Sequence, residues 1–430
     1  MKSKFSNEIS DLLENQVISA DTASRIDSYY NAKSGEKPNK LFMIFGILGS
    51  SLIGLGIILI LAHNWDNFSK SIKTSLAFLP LILGQIVCGY SILKQKSAVW
   101  REASAVFLFF SVGACISLIS QIYHIPGNLS GFLLTWLLLC VPLVYLAKFK
   151  SVAMLSIVFA TYYSVEAGYS LIGSNATPWY YLLLFVSVIP FYIYCLRSHS
   201  KSNAVRILNW IVPLSLIIAL GTFVEEQWHL GFLMYVLLFG FIYNVGTLPY
   251  FKNFKLRNNG FKVLGSLGTV VLLLTLSFKG FWQEFNHETY MYLSQEVFFV
   301  IILFTLSISA LIYSVSKHGY TTLNFSNYIF IVFTFFFFIG LSNALIGVVS
   351  INIMLFLFGL GAIKRGVEEF DFRTSNYGLL IITALVACRF FDTDMSFVLR
   401  GILFLGVGTS FFLTNYYMLK NQNKIKTEKS

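Results

Sequence analysis

The sequence predicts an all-α, polytopic integral membrane bundle of about 14 transmembrane helices with both termini cytoplasmic. Three observations carry this. Hydrophobic residues make up 56% of the 430 residues and charged residues only 12%, with a mean hydropathy of +0.70. A soluble domain of this size carries about 25% charged residues, so the solvent for most of this chain is lipid. The apolar residues also fall in continuous runs of about 20, the length of a membrane-crossing helix, whereas barrel strands alternate. Finally, the basic residues cluster in every second loop.

Residues 1–40 are polar and read as a cytoplasmic helical segment. Phe5, Ile9, Leu12 and Leu13 lie on one helical stripe. Ser19 is placed as the N-cap of a second helix, with Asp21 in its first turn and Ala23, Ile26, Tyr29 and Tyr30 on one face. Gly35 and Pro38 stop that helix before the membrane. The stripe fits packing on the membrane surface or a docking module. No cleavable signal peptide is expected, because the first apolar run follows forty polar residues and is itself long enough to span.

The transmembrane domain is read over residues 41–418, with spans near 41–62, 72–93, 103–123, 128–147, 151–172, 178–196 and 204–223 in its first half. The second half continues with 229–249, 261–281, 296–316, 325–341, 343–363, 376–391 and 396–418, and residues 419–430 form a basic cytoplasmic tail. With the N-terminus inside, 26 of the 31 Lys and Arg residues face the cytoplasm; the exceptions are Lys70, Lys73, Lys279, Arg389 and Arg400. A miscount of one span anywhere would scramble that alternation. Gly46, Ser50 and Gly54 on the first span, and Gly265 with Gly268 on the ninth, mark faces where helix backbones approach closely.

The net charge of +11 does not describe a nucleic-acid binder, since the cations are dispersed between apolar spans instead of forming one groove. The five cysteines, Cys88, Cys115, Cys140, Cys195 and Cys388, all lie in apolar runs and form no metal-ligand spacing. Neither a phosphate-binding glycine loop nor a hydrolase or zinc-protease motif is present. No cofactor and no metal is expected.

Polar residues that could carry chemistry gather at the predicted outer ends of spans. The first loop reads His63-Asn64-Trp65-Asp66-Asn67-Phe68, and the third span closes on Gln121-Ile122-Tyr123-His124. The last hairpin carries Arg389-Phe390-Phe391-Asp392 and then Arg400. His229, His287, Glu225, Glu226, Glu284, Glu288 and Asp394 also fall on that face, where a cation or a proton relay is one reading and ordinary loop polarity the other. Glu166, Arg389 and Arg400 are charges inside apolar spans, where each costs roughly 2.5–3.5 kcal/mol and needs a partner or water. A Glu166 pair with Arg389 or Arg400 is the expectation. The candidate polar site is therefore His63, Trp65, Asp66, Gln121, Tyr123, His124, Glu166, Arg389, Asp392 and Arg400.

Several of these strings, taken in order, are familiar. Ile18-Ser19 leading to Tyr29-Tyr30, Asn64-Trp65-Asp66 after the first span, and Gln121-Ile122-Tyr123 with Gly127 after the third resemble a bacterial family of predicted membrane proteins catalogued as domain of unknown function 2157. The resemblance covers about the first 150 residues, and Arg389-Phe390-Phe391-Asp392 and Arg400-Gly401 resemble the C-terminal end of the same and related proteins. It implies a bacterial cytoplasmic (inner) membrane location and assigns no activity.

Many spans, buried charges and no large extramembrane domain point first to transport or flipping of a small or lipid-linked substrate. A membrane scaffold or sensor docking a cytoplasmic partner through residues 1–35, and a membrane-embedded enzyme with an outer-face site, are the other expectations. The expected partners are the lipid bilayer and anionic lipid headgroups at the cytoplasmic face, and no nucleic acid.

Overall fold

The computed structural model describes residue 9 and residues 11–33, 65–146, 148–169, 177–200, 202–251, 254–285, 294–318, 323–392 and 397–428. Every regular element among them is helical, with no strand. The chain divides into two units, Met1–Leu76 and Ala77–Ser430.

In the first unit, residues 11–14 are helical and α1 spans Ala20–Lys33. Ser19 caps it as its position predicts: its Oγ accepts from the Thr22 N–H at 3.3 Å. The first expected span, 41–62, and its Gly46-Ser50-Gly54 face lie outside the described residues. A 3-10 turn at Trp65–Asn67 precedes α2, Lys70–Leu93.

The second unit holds the rest of α2 and thirteen further helices. These are α3 Ala98–Ile122, α4 Leu129–Leu146, α5 Lys150–Gly168, α6 Trp179–Ser198, α7 Asn203–Leu220, α8 Trp228–Gly246 and α9 Gly260–Leu276. After the short α10, Lys279–Phe285, come α11 Gln295–His318, α12 Phe325–Ser342, α13 Ala344–Glu368, α14 Phe372–Asp392 and α15 Phe397–Glu428.

Ten of the described helices are long and apolar enough to cross a membrane, or eleven if α9 and α10 count as one bent span. The sequence reading also placed spans at 151–172 and 376–391, and both positions are helical. The helices there, α5 and α14, fall outside that set. Val152, Ala153, Ser156, Ile157, Ala160, Tyr163 and Ser164 of α5 are buried in protein, so that helix does not depend on lipid to solvate its surface.

α8 is the central element. Of its most apolar window 78% is buried inside the protein, against 6% for α15. It packs against α7, α9, α11 and α12. Gly265 of α9 permits a close approach to α8, since a Cβ there would stand 2.7 Å from the Tyr243 backbone nitrogen. That contact agrees with the small-residue face read from Gly265 and Gly268.

Candidate functional site

Polar side chains gather at opposite ends of α8 and α9. Nineteen residues of α8 rise about 28 Å, so the two clusters lie roughly the 30 Å thickness of a hydrocarbon core apart.

At the end where α8 finishes, four asparagines are buried: Asn209, Asn244, Asn259 and Asn327. Asn244 Nδ2 donates to the Asn327 carbonyl and to the Gly240 carbonyl, both at 2.9 Å, and Asn327 Nδ2 donates back to Asn244 Oδ1 at 2.9 Å. Asn327 Oδ1 accepts from the Asn324 N–H at 2.9 Å as half of a capping box that starts α12. Asn259 caps α9 by accepting from the Lys262 N–H at 3.1 Å, while its Nδ2 donates to the Gly246 carbonyl at 2.8 Å. Asn209 Nδ2 donates to the Asn258 carbonyl at 3.0 Å, and Tyr192 Oη donates to Asn209 Oδ1 at 2.7 Å. These amides satisfy backbone groups that helix termini leave open, in a setting with little water to do so.

Beside this lattice lies a cavity of about 340 Å³. Thr247, Asn259, Lys262, Ser314, Asn324 and Arg365 supply its polar lining, and Phe251, Phe254 and Leu256 part of its apolar wall.

At the other end, α9 and α10 are bent by 78° across Ser277 and Phe278. The break frees backbone carbonyls, and distant side chains take them up. Arg389 Nη2 on α14 donates to the Ser277 carbonyl at 2.7 Å and to its Oγ at 3.1 Å. Asn352 Nδ2 on α13 reaches the same carbonyl at 3.3 Å, and Trp282 Nε1 donates to the Leu276 carbonyl at 2.7 Å. The Arg389 guanidinium also lies over the Phe278 ring, 5.4 Å from its centroid. The fully buried Trp282 is seated against Gly340 and Gly347; a Cβ on Gly347 would stand 2.5 Å from the indole.

The Phe285 ring continues this end toward Trp228, 5.2 Å away, and His229, 6.2 Å away. Nearby in the chain, the fully buried Glu296 holds the loop that leads into α8. Its Oε1 accepts three consecutive backbone N–H groups, from Glu225 at 2.7 Å, Glu226 at 2.8 Å and Gln227 at 3.2 Å. Its Oε2 is buried without a hydrogen bond among the described residues. Thr177 Oγ1 donates to the Glu225 carboxylate and so ties the start of α6 to the same loop.

The residues expected to form a polar site belong to several elements. His63 lies outside the described residues. Trp65 and Asp66 form the 3-10 turn before α2, with Lys73 Nζ 5.6 Å from the Trp65 ring centroid. Gln121, Tyr123 and His124 are exposed at the end of α3. His124 has φ 51°, the left-handed residue that ends the helix, and the following Ile125 N–H donates to the Ser120 carbonyl at 2.9 Å. Glu166 is half-buried on α5, and among the described residues no ion pair joins it to Arg389 or Arg400. Arg389 serves the helix break instead. Arg400 lies over the Phe390 ring at 5.9 Å, and Asp392 is the last residue of α14. His287, Glu288 and Asp394 lie outside the described residues.

Arg389 is thus the expected site residue that the structure builds into a cluster. The four asparagines, Trp282, Asn352 and Glu296 were missed. Their signal was an Asn or Glu interrupting an apolar run, as in Phe241-Ile242-Tyr243-Asn244-Val245 and Ser350-Ile351-Asn352-Ile353-Met354. Among the described residues, no three His, Cys, Asp or Glu side chains are grouped to hold a metal ion.

No curated protein and no solved structure matches the chain. Residues 10–153 match the family described as Predicted membrane protein (DUF2157), which is what the interfacial strings of that region resemble.

Proposed function

We propose that this multi-pass membrane protein moves an anionic lipid-linked substrate between the two faces of the bilayer. The observation that carries the reading is the broken helix α9–α10, bent by 78° within the packed bundle and fastened by Arg389 and Asn352. A span that only anchors has no use for such a break. Non-helical backbone near membrane depth is tolerated where it is buried in protein or lines a cavity, and interrupted helices are where transporters place their substrate sites. A guanidinium at the break favours an anionic group, and its site lies about 28 Å from the basic cavity at the far end of α8. In this reading both termini are cytoplasmic, the membrane is the bacterial inner membrane, and α5, α14 and the run 41–62 complete the fourteen spans.

The test is lipid translocation by the purified full chain in sealed vesicles, with a short-chain fluorescent phosphatidylglycerol and an impermeant reductant that bleaches the outer leaflet. Wild-type vesicles should lose inner-leaflet fluorescence during the assay, and Arg389→Gln should slow that loss roughly tenfold. Wild-type vesicles that keep inner-leaflet label as protein-free vesicles do would contradict the reading.

A further inference from the structure

We propose that the 340 Å³ cavity between the ends of α8, α11 and α13 and the starts of α9 and α12 binds a phosphate group. The claim concerns binding alone and stands whether or not the protein translocates lipid. It rests on the cavity's size, sign and donors. The volume lies at the small end of the roughly 300–1,000 Å³ of ligand pockets. Its ionisable lining residues are both cationic, Lys262 in the first turn of α9 and Arg365 in the last turn of α13. Among the described residues Lys262 Nζ makes no hydrogen bond or ion pair. Arg365 spends only its Nε, on Glu369 Oε1 at 2.6 Å, which leaves both terminal nitrogens to form the fork that suits phosphate oxygens.

The rest of the lining has the same bias. Ser314 Oγ lies 3.1 Å from Thr247 Oγ1, whose own hydrogen goes to the Asn244 carbonyl at 2.7 Å, so Ser314 is the hydroxyl that can turn its hydrogen to a ligand. Asn259 and Asn324 sit at the N-termini of α9 and α12, so the positive ends of two helices face one space. Among the described residues no carboxylate lines it. Lys262, the terminal nitrogens of Arg365 and two helix N-termini thus converge on one space, and a phosphate presents oxygens to each. The position is also that of a lipid headgroup: it lies at the ends of spanning helices, next to an exposed loop carrying Lys255 and Arg257. A phospholipid and a free phosphate share this chemistry.

Native mass spectrometry of the full chain in detergent separates them. Phosphatidylglycerol, phosphatidylcholine and inorganic phosphate are added in turn to wild type and to the Lys262→Gln, Arg365→Gln double variant. Retention of phosphatidylglycerol over phosphatidylcholine by the wild type, falling roughly tenfold in the variant, supports a lipid headgroup. Retention of inorganic phosphate by wild type, lost in the variant, with no lipid preference supports a soluble phosphate. Equal retention of every ligand by wild type and variant, or none by either, overturns the proposal. If the double variant does not assemble, Lys262→Gln alone decides by the same outcomes, since it removes a side chain that holds nothing in the fold.

Discussion

At the residue scale the buried polar side chains among the described residues are hydroxyls and amides more than charges. Sequence reading at membrane depth looks for charge, because a charge costs most there, and so it singled out Glu166, Arg389 and Arg400. An Asn in an apolar run costs less and attracts less notice, yet the Asn327 amide donates to Asn244 Oδ1, Asn244 donates to the Asn327 carbonyl, and Asn327 also caps the start of its own helix. Removing one partner strands the other's polar atoms. Asn244→Ala and Asn327→Ala should each lower stability by about 1–3 kcal/mol. The double variant should lose less than the sum, with a coupling of roughly 0.5–1.7 kcal/mol. Unfolding in detergent measures this cycle, and strict additivity would mean that the two amides do not depend on each other. His124, a candidate site residue in the sequence, also has a backbone role: it sits at φ 51° and ends a helix.

At the element scale the helices were legible and their interruptions were not. The apolar run 261–281 reads as one span, but the structure breaks it after Leu276. The groups that make the break tolerable, Asn352 and Arg389, lie 75 and 112 residues further along the chain, so no local pattern announces it. Helix starts follow the same logic. The Glu102 carboxylate on α3 accepts from the Lys150 and Ser151 N–H groups at 3.1 and 2.9 Å, and Glu296 on α11 takes the three N–H groups before α8. Both carboxylates occupy the positive end of another helix, where negative charge is stabilising. Glu296→Ala should therefore loosen the loop before α8 while leaving α11 intact. Hydrogen exchange at the amides of Glu225, Glu226 and Gln227 should rise by roughly tenfold or more. Unchanged protection there would show that the loop is held by something other than this carboxylate.

At the scale of the whole molecule, composition and run length were enough to identify a multi-pass helical membrane protein. Run length alone did not separate lipid-facing spans from internal ones: α5 has helical length but falls outside the set apolar enough to cross a membrane, and its buried residues pack within the bundle. The central claim is that α8 and α9 cross the bilayer and hold the phosphate cavity and the helix break at opposite faces. Cysteine labelling tests it most directly. In a background with the five native cysteines replaced, Lys255→Cys marks the cavity end and Gln283→Cys the break end, both at exposed positions. An impermeant maleimide should label Gln283→Cys in right-side-out vesicles and Lys255→Cys only once the vesicles are inverted. Labelling of both cysteines from the same side would contradict the account.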